Sequence, residues 1–230
     1  MELLNSLVGQ INDILWSYVL IILLIGAGII FTIRTKFVQI RFIKEMIRLI
    51  AGDAGNKMEG QQISSFQAFC VSTASRVGVG NIAGIAIAVV LGGPGAIFWM
   101  WIIAILGSAT GFVESTLAQI YKVPRTDSNG YLGGPAYYIN NALHSPKTAV
   151  FFAILISITY GLIFNSVQSN TISLSLQTAF NFDATMIGIV IAVFSGIVVF
   201  GGLHRIAKVT EYMVPIMAGI YLLIAFAITI

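Results

Sequence analysis

Residues 64–93 read SSFQAFCVSTASRVGVGNIAGIAIAVVLGG, a run with two apolar ends and a polar, glycine-bearing centre from Ser72 to Asn81. A continuous lipid-facing helix is not built this way. Gly78 and Gly80 each disfavour helix by about 1 kcal/mol relative to alanine. Ser72, Thr73, Ser75 and Asn81 carry side chains that can satisfy backbone groups freed by an unwound turn. The pattern predicts a break near 76–81. A break aims the N-terminus of the following half-helix, with its partial positive charge, at the middle of the bilayer, where it can hold a carboxylate. Carbonyls of the preceding half can then coordinate a cation. The same small residues also fit close helix packing of the small-xxx-small kind, as at Gly80 and Gly84. Both readings stand on composition alone.

The rest of the chain sets this segment in a membrane. Of 230 residues, 57% are hydrophobic and 9% charged, and the mean hydropathy is +0.93. Soluble domains carry about 25% charged residues. Apolar runs near 14–33, 64–91, 95–121, 148–179, 184–203 and 209–230 approach or exceed the ~20 residues that cross a ~30 Å hydrocarbon core. Lipid offers backbone groups no partners, and these runs are too long for barrel strands, so six helical spans are expected. The fold class expected is an all-α integral membrane protein. Residues 36–50 (KFVQIRFIKEMIRLI) alternate basic and apolar positions at helical spacing, as a surface-lying or a solvated connecting helix would. Residues 122–147 combine the turn signals Asp127-Ser128-Asn129-Gly130 and Gly133-Gly134-Pro135 with a short AYYINNAL helix.

Charge placement gives an orientation. Arg34, Lys36, Arg41, Lys44, Arg48 and Lys57 fall in one loop, Lys122, Arg125 and Lys147 in another, and Arg205 and Lys208 in a third. The alternate turns hold no Lys or Arg, so eleven of the twelve basic residues share one side. The positive-inside rule makes that side cytoplasmic and the N-terminus external. The net charge of +3 is not pooled into a nucleic-acid patch, and no nucleic-acid partner is expected. The single cysteine, Cys70, excludes an intrachain disulfide and a multi-cysteine metal site. His144 and His204 lack the neighbours of a zinc site or a triad. No catalytic residues and no metal site are expected from these side chains.

Four stretches in register then carry a family resemblance: Ser75-Arg76-Val77-Gly78-Val79-Gly80-Asn81-Ile82-Ala83-Gly84; Gly92-Gly93-Pro94-Gly95-Ala96-Ile97-Phe98-Trp99-Met100-Trp101; Phe112-Val113-Glu114-Ser115-Thr116-Leu117-Ala118-Gln119; and Gly133-Gly134-Pro135-Ala136-Tyr137-Tyr138-Ile139. Together they resemble the alanine or glycine:cation symporter family. The resemblance implies a LeuT-type fold of two inverted five-helix repeats with an extra helix in front, carrying sodium or a proton with alanine or glycine in a cell (plasma) membrane. Residues 1–35 would be the extra helix, 36–63 a cytoplasmic or interfacial segment, and 64–230 the first repeat with its discontinuous helix. Family members are about twice this long, so a chain ending in YLLIAFAITI is expected to be a fragment without the second repeat. Family members often have threonine where this chain has Val79, which keeps a backbone contact but not a hydroxyl ligand.

The implied substrate contacts are Thr73, Gly78, Gly80, Asn81 and Gln168, with Asn170 a further candidate. The implied cation contacts are the carbonyls of Ser75 and Val77. No cofactor is expected beyond the co-transported ion. Asn165 and Gln168 lie mid-span in IFNSVQSNTIS, where buried amides need partners. Interhelical hydrogen bonding explains them as well as substrate contact does, and the resemblance favours the latter for Gln168. Glu114, about two turns inside span three, has Arg76 as its candidate partner. A structural charge pair is preferred over a direct role in ion coupling. Trp16, Tyr18, Trp99, Trp101, Tyr121 and Tyr138 read as interfacial anchors. An intramembrane enzyme would need convergent groups such as H-E-x-x-H, which are missing. An ion channel is the competing function, but filter repeats are missing too.

Overall fold

The computed structural model describes residues 2–52, 63–126 and 130–229. Lys57 and the Asp127-Ser128-Asn129 part of the turn signal lie outside these residues. The described residues are almost wholly helical. In order it forms α1 (Asn5–Arg34), α2 (Val38–Arg41), α3 (Ile43–Gly52), α4 (Ser65–Arg76), a 3-10 turn (Val79–Asn81), α5 (Ala83–Gly92) and α6 (Gly95–Ile120). A two-residue antiparallel pair, β1 (Val123–Pro124) and β2 (Tyr131–Leu132), follows. The chain then continues through α7 (Pro135–Leu143), α8 (Pro146–Phe180), α9 (Ala184–Val199) and α10 (Gly202–Thr229). Helices α1 and α8 each contain one π turn, at Leu15–Val19 and Thr159–Ile163.

Among the described residues, α1, α6, α8 and α10 are long and apolar enough to cross a membrane, and α4 with α5 makes a fifth span if the bent pair is one. The expected fifth apolar run appears as α9, which has 16 residues. At 1.5 Å per residue it reaches about 24 Å, short of a ~30 Å core. The expected loop at 204–208 is instead the first part of α10. Gly202, at φ +73°, makes the turn, and Arg205 Nη1 donates back to the Ile197 carbonyl at 2.9 Å, covering an open acceptor near the end of α9.

The described residues form two compact units. One contains α1, α2, α6, the β pair and α7. Here α1 packs on α6 by close backbone approach, for a Cβ on Gly28 would lie 2.8 Å from Leu106 Cβ. Thr32, one turn beyond, is buried and accepts from Gln39 Nε2 at 3.1 Å. The other unit contains α3, α4, the 3-10 turn, α8 from Phe151 onward, α9 and α10. In it α4 packs on α10, α8 on α9 and α9 on α10. Large apolar side chains point outward along nearly every span, as with Val90, Leu91 and Phe200 at 83%, 83% and 94% exposed, while the buried positions are mostly small, such as Ala109, Ala149, Ser173 and Ala207. Small residues inside and bulky apolar ones outside suit helices solvated by lipid.

Candidate functional site: the broken span

Helix α4 starts on a capping box, Ser64 with Gln67, and runs regularly to Arg76. It ends where Val77 (φ −97°, ψ 111°) and Gly78 (φ −137°, ψ −173°) turn extended. Had the helix continued, the Gly78 and Val79 N–H groups would have bonded the carbonyls of Ala74 and Ser75. They turn elsewhere. Gly78 N–H donates to Asn81 Oδ1 at 2.9 Å and Val79 N–H donates to Gln168 Oε1 at 2.9 Å. The chain then closes a single 3-10 turn, through Asn81 N–H to the Gly78 carbonyl and Ile82 N–H to the Val79 carbonyl, before α5 begins. The two helices are bent by 73° across this break.

Two kinds of backbone group are thereby presented. On the α5 side, N–H donors of the break already hold amide oxygens, which are acceptors of the geometry a carboxylate would offer. On the α4 side, the last-turn carbonyls lose their helical partners, and the Ser75 carbonyl is among them. Side chains support this end locally: Ser75 Oγ donates to the Ser72 carbonyl at 2.9 Å, and Arg76 donates to Ser72 Oγ. Thr73 is half-buried and its carbonyl accepts from Val77 N–H at 2.9 Å.

The glycines divide by role. A Cβ on Gly78 would overlap Gln168 Nε2 and crowd Gln168 Cδ and Oε1, each at 3.2 Å, so the amide's approach to the backbone requires glycine. Around Gly80 and Gly84 a Cβ would meet nothing within 4 Å. Among the described residues, then, nothing packs against these two glycines.

Residues 1–230 match the sequence profile of the Sodium:alanine symporter family over their whole length. The chain belongs to that family. It is a family of secondary carriers, not of enzymes. Similar proteins include the probable sodium/glutamine symporter GlnT of Bacillus subtilis (strain 168), 52% identical over 98% of this chain and 46% of its own length. The amino-acid carrier protein AlsT of the same organism is 49% identical over 98% of this chain and 47% of its own. The sodium/alanine symporter AgcS of Methanococcus maripaludis is 38% identical over 95% of this chain and 49% of its own. The chain thus spans about half the length of the curated relatives it matches.

Within this chain, the structure brings Gly78, Val79, Asn81 and Gln168 together. Asn165 is held by its own helix, with Nδ2 donating to the Gly161 carbonyl at 3.2 Å, and Asn170 is exposed. Glu114 lies in the unit that contains α6, and its pairing with Arg76 stays a proposal. Within that unit its charge is felt at Tyr138 of α7, whose phenol is held above its ordinary pKa by burial and then by the Glu114 carboxylate. Trp16, Tyr18, Trp99 and Trp101 are all more than half exposed. Sequence reading missed one polar contact, Gln67 Nε2 to Glu211 Oε2 at 2.9 Å. Glu211 is an ionisable residue inside an apolar run, and that signal alone marks it.

Proposed function

We propose that this chain provides the broken-helix side of the substrate site in a secondary active transporter that imports a small neutral amino acid, alanine or glycine, together with sodium, with the proton as the alternative ion. The observation that carries the proposal is the break at 76–81, where backbone N–H groups take up side-chain oxygens while the end of α4 leaves carbonyls open. The substrate carboxylate binds at the N–H groups of Gly78 to Asn81, with Gln168 adding a side-chain contact and Thr73 lying beside them. The carbonyls of Ser75 and Val77 face the cation. A zwitterion near the bilayer midplane needs both donors and acceptors, and an unwound helix supplies them without burying a net charge. Membership in a sodium:alanine symporter family supports the coupling ion and the substrate class.

In this reading residues 64–230 form the first five-helix repeat of a LeuT-type fold, with residues 1–35 as an extra helix in front and 36–63 as the cytoplasmic segment. Uptake of radiolabelled alanine by the full-length protein should saturate and should require sodium. A substrate-evoked current that never saturates would favour a pore instead.

The protein sits in the cell membrane with residues 1–12 outside and Lys36, Lys57 and Lys122 inside. Single cysteines placed at these positions in a Cys70-free background should resist an impermeant reagent in intact cells at 36, 57 and 122. Labelling at 57 would reverse the topology.

A structural charge pair of Glu114 with Arg76 is part of the same proposal. An unpaired charge at that depth costs several kcal/mol, whereas a neutral pair does not. Glu114→Gln and Arg76→Gln should each lower the folded yield, and the double variant should regain part of it. Strictly additive losses would show that the two are not partners.

A further inference from the structure

The end of α4 remote from the break carries a second polar assembly. Ser64 Oγ accepts from Gln67 N–H at 3.1 Å, and Ser64 N–H donates to Gln67 Oε1 at 3.2 Å. This reciprocal cap satisfies donors that a helix start leaves open. It also sets which way round the Gln67 amide sits, since its oxygen is committed to Ser64. The nitrogen is left to donate, and it meets Glu211 Oε2 of α10 at 2.9 Å. The seam on either side of this bond is closed: Ser64 is 3% exposed, Cys70 and Ala207 are 0% and Val214 is 6%. Positions 64, 67 and 70 share one face of their helix, and 207, 211 and 214 one face of theirs. Glu211 is half-buried within a membrane-spanning helix, where a carboxylate is costly unless a donor meets it.

From this arrangement we infer that Gln67 and Glu211 are positioning residues for transport. Gln67, oriented by its own helix cap, ties α4 to α10 and so sets the placement of the break at the far end of that helix. Helix α4 has 12 residues, so it is a rod of about 18 Å, and a small displacement at its tied end is carried to Arg76 and Val77. Neither residue is assigned a contact with substrate or ion. The inference rests on the transport reading above, and its test is built to fail separately from it.

Reversing donor and acceptor gives that test. Gln67→Glu keeps the cap, because a carboxylate accepts from Ser64 N–H as the amide does, but it sets two carboxylates against each other across the seam. Adding Glu211→Gln restores a donor opposite an acceptor. In the full-length protein, Gln67→Glu should reduce sodium-dependent alanine uptake roughly ten- to hundredfold, chiefly through a higher KM, because a misplaced binding segment loses affinity. The double variant should return close to the wild-type KM. Cys70, buried one turn from Gln67, is a second readout. With any other cysteine replaced, its labelling by a maleimide should rise in Gln67→Glu and fall back in the double variant. If the wild type takes up no alanine, the transport reading fails, and the Cys70 cycle alone decides whether the tie exists. Losses that multiply, with Cys70 still labelled in the double variant, overturn the inference. Recovery of Cys70 protection without recovery of KM also overturns it, by reducing the contact to a purely structural one.

Discussion

Leucine at position 80 is expected to abolish alanine binding while the protein still folds. The two halves of that expectation have separate causes. A Cβ on Gly80 meets nothing within 4 Å, and the residue's φ is not one that only glycine adopts easily, so the described residues leave room for a Cβ there. The space a leucine would fill lies beside the turn from Gly78 to Asn81, which in the proposed site is the carboxylate's approach to the N–H groups. Equilibrium binding of alanine at saturating sodium, with thermal unfolding followed on the same preparation, separates the two effects. Near-normal affinity in a well-folded Gly80→Leu protein would remove the carboxylate from the break.

The second large effect is expected from Gln168. Its Oε1 accepts from Val79 N–H at 2.9 Å, and its Nε2 stands where a Cβ of residue 78 would be. Gln168→Ala removes the side-chain contact proposed with the substrate, a loss of about 1–3 kcal/mol and so roughly 5- to 150-fold in alanine affinity. Gly78→Ala should weaken binding through the same contact, because its methyl group displaces the flexible end of Gln168 without requiring the backbone to move. The two substitutions share one interaction, so the double variant should lose less than the sum of the single losses. Fully additive losses in binding titrations would show that Gly78 and Gln168 act separately.

The break was legible in residues 64–93 because two glycines fall together with hydroxyl and amide side chains at the centre of an apolar run, where glycine weakens the helix and the polar groups can satisfy an unwound turn. Its bounds were readable to within a residue or two at Arg76 and Asn81. Which glycine mattered sterically was not readable, for Gly78 and Gly80 differ only in what approaches them, and Gln168 is 90 positions away in sequence from one and 88 from the other. The tie between Gln67 and Glu211 was half legible. Ser64-x-x-Gln67 has the spacing of a capping box, but nothing in one dimension orients the spare amide nitrogen toward a carboxylate 144 residues on. Hydropathy overstated α9, because the apolar run does not stop at the Gly201-Gly202 turn that ends the helix. Gln168 as a substrate contact rested on the family resemblance, and the hydrogen bond to Val79 now supports its place at the break on geometry.

The central claim is that the unwound backbone holds the amino-acid carboxylate. A structure of the full-length protein with alanine and sodium bound tests it most directly. The account predicts a carboxylate oxygen within about 3.2 Å of backbone nitrogens between Gly78 and Asn81, with the Gln168 amide in contact with the substrate. A carboxylate held by side chains elsewhere, with the N–H groups of Gly78 and Val79 still bonded to Asn81 and Gln168 as they are here, would contradict it.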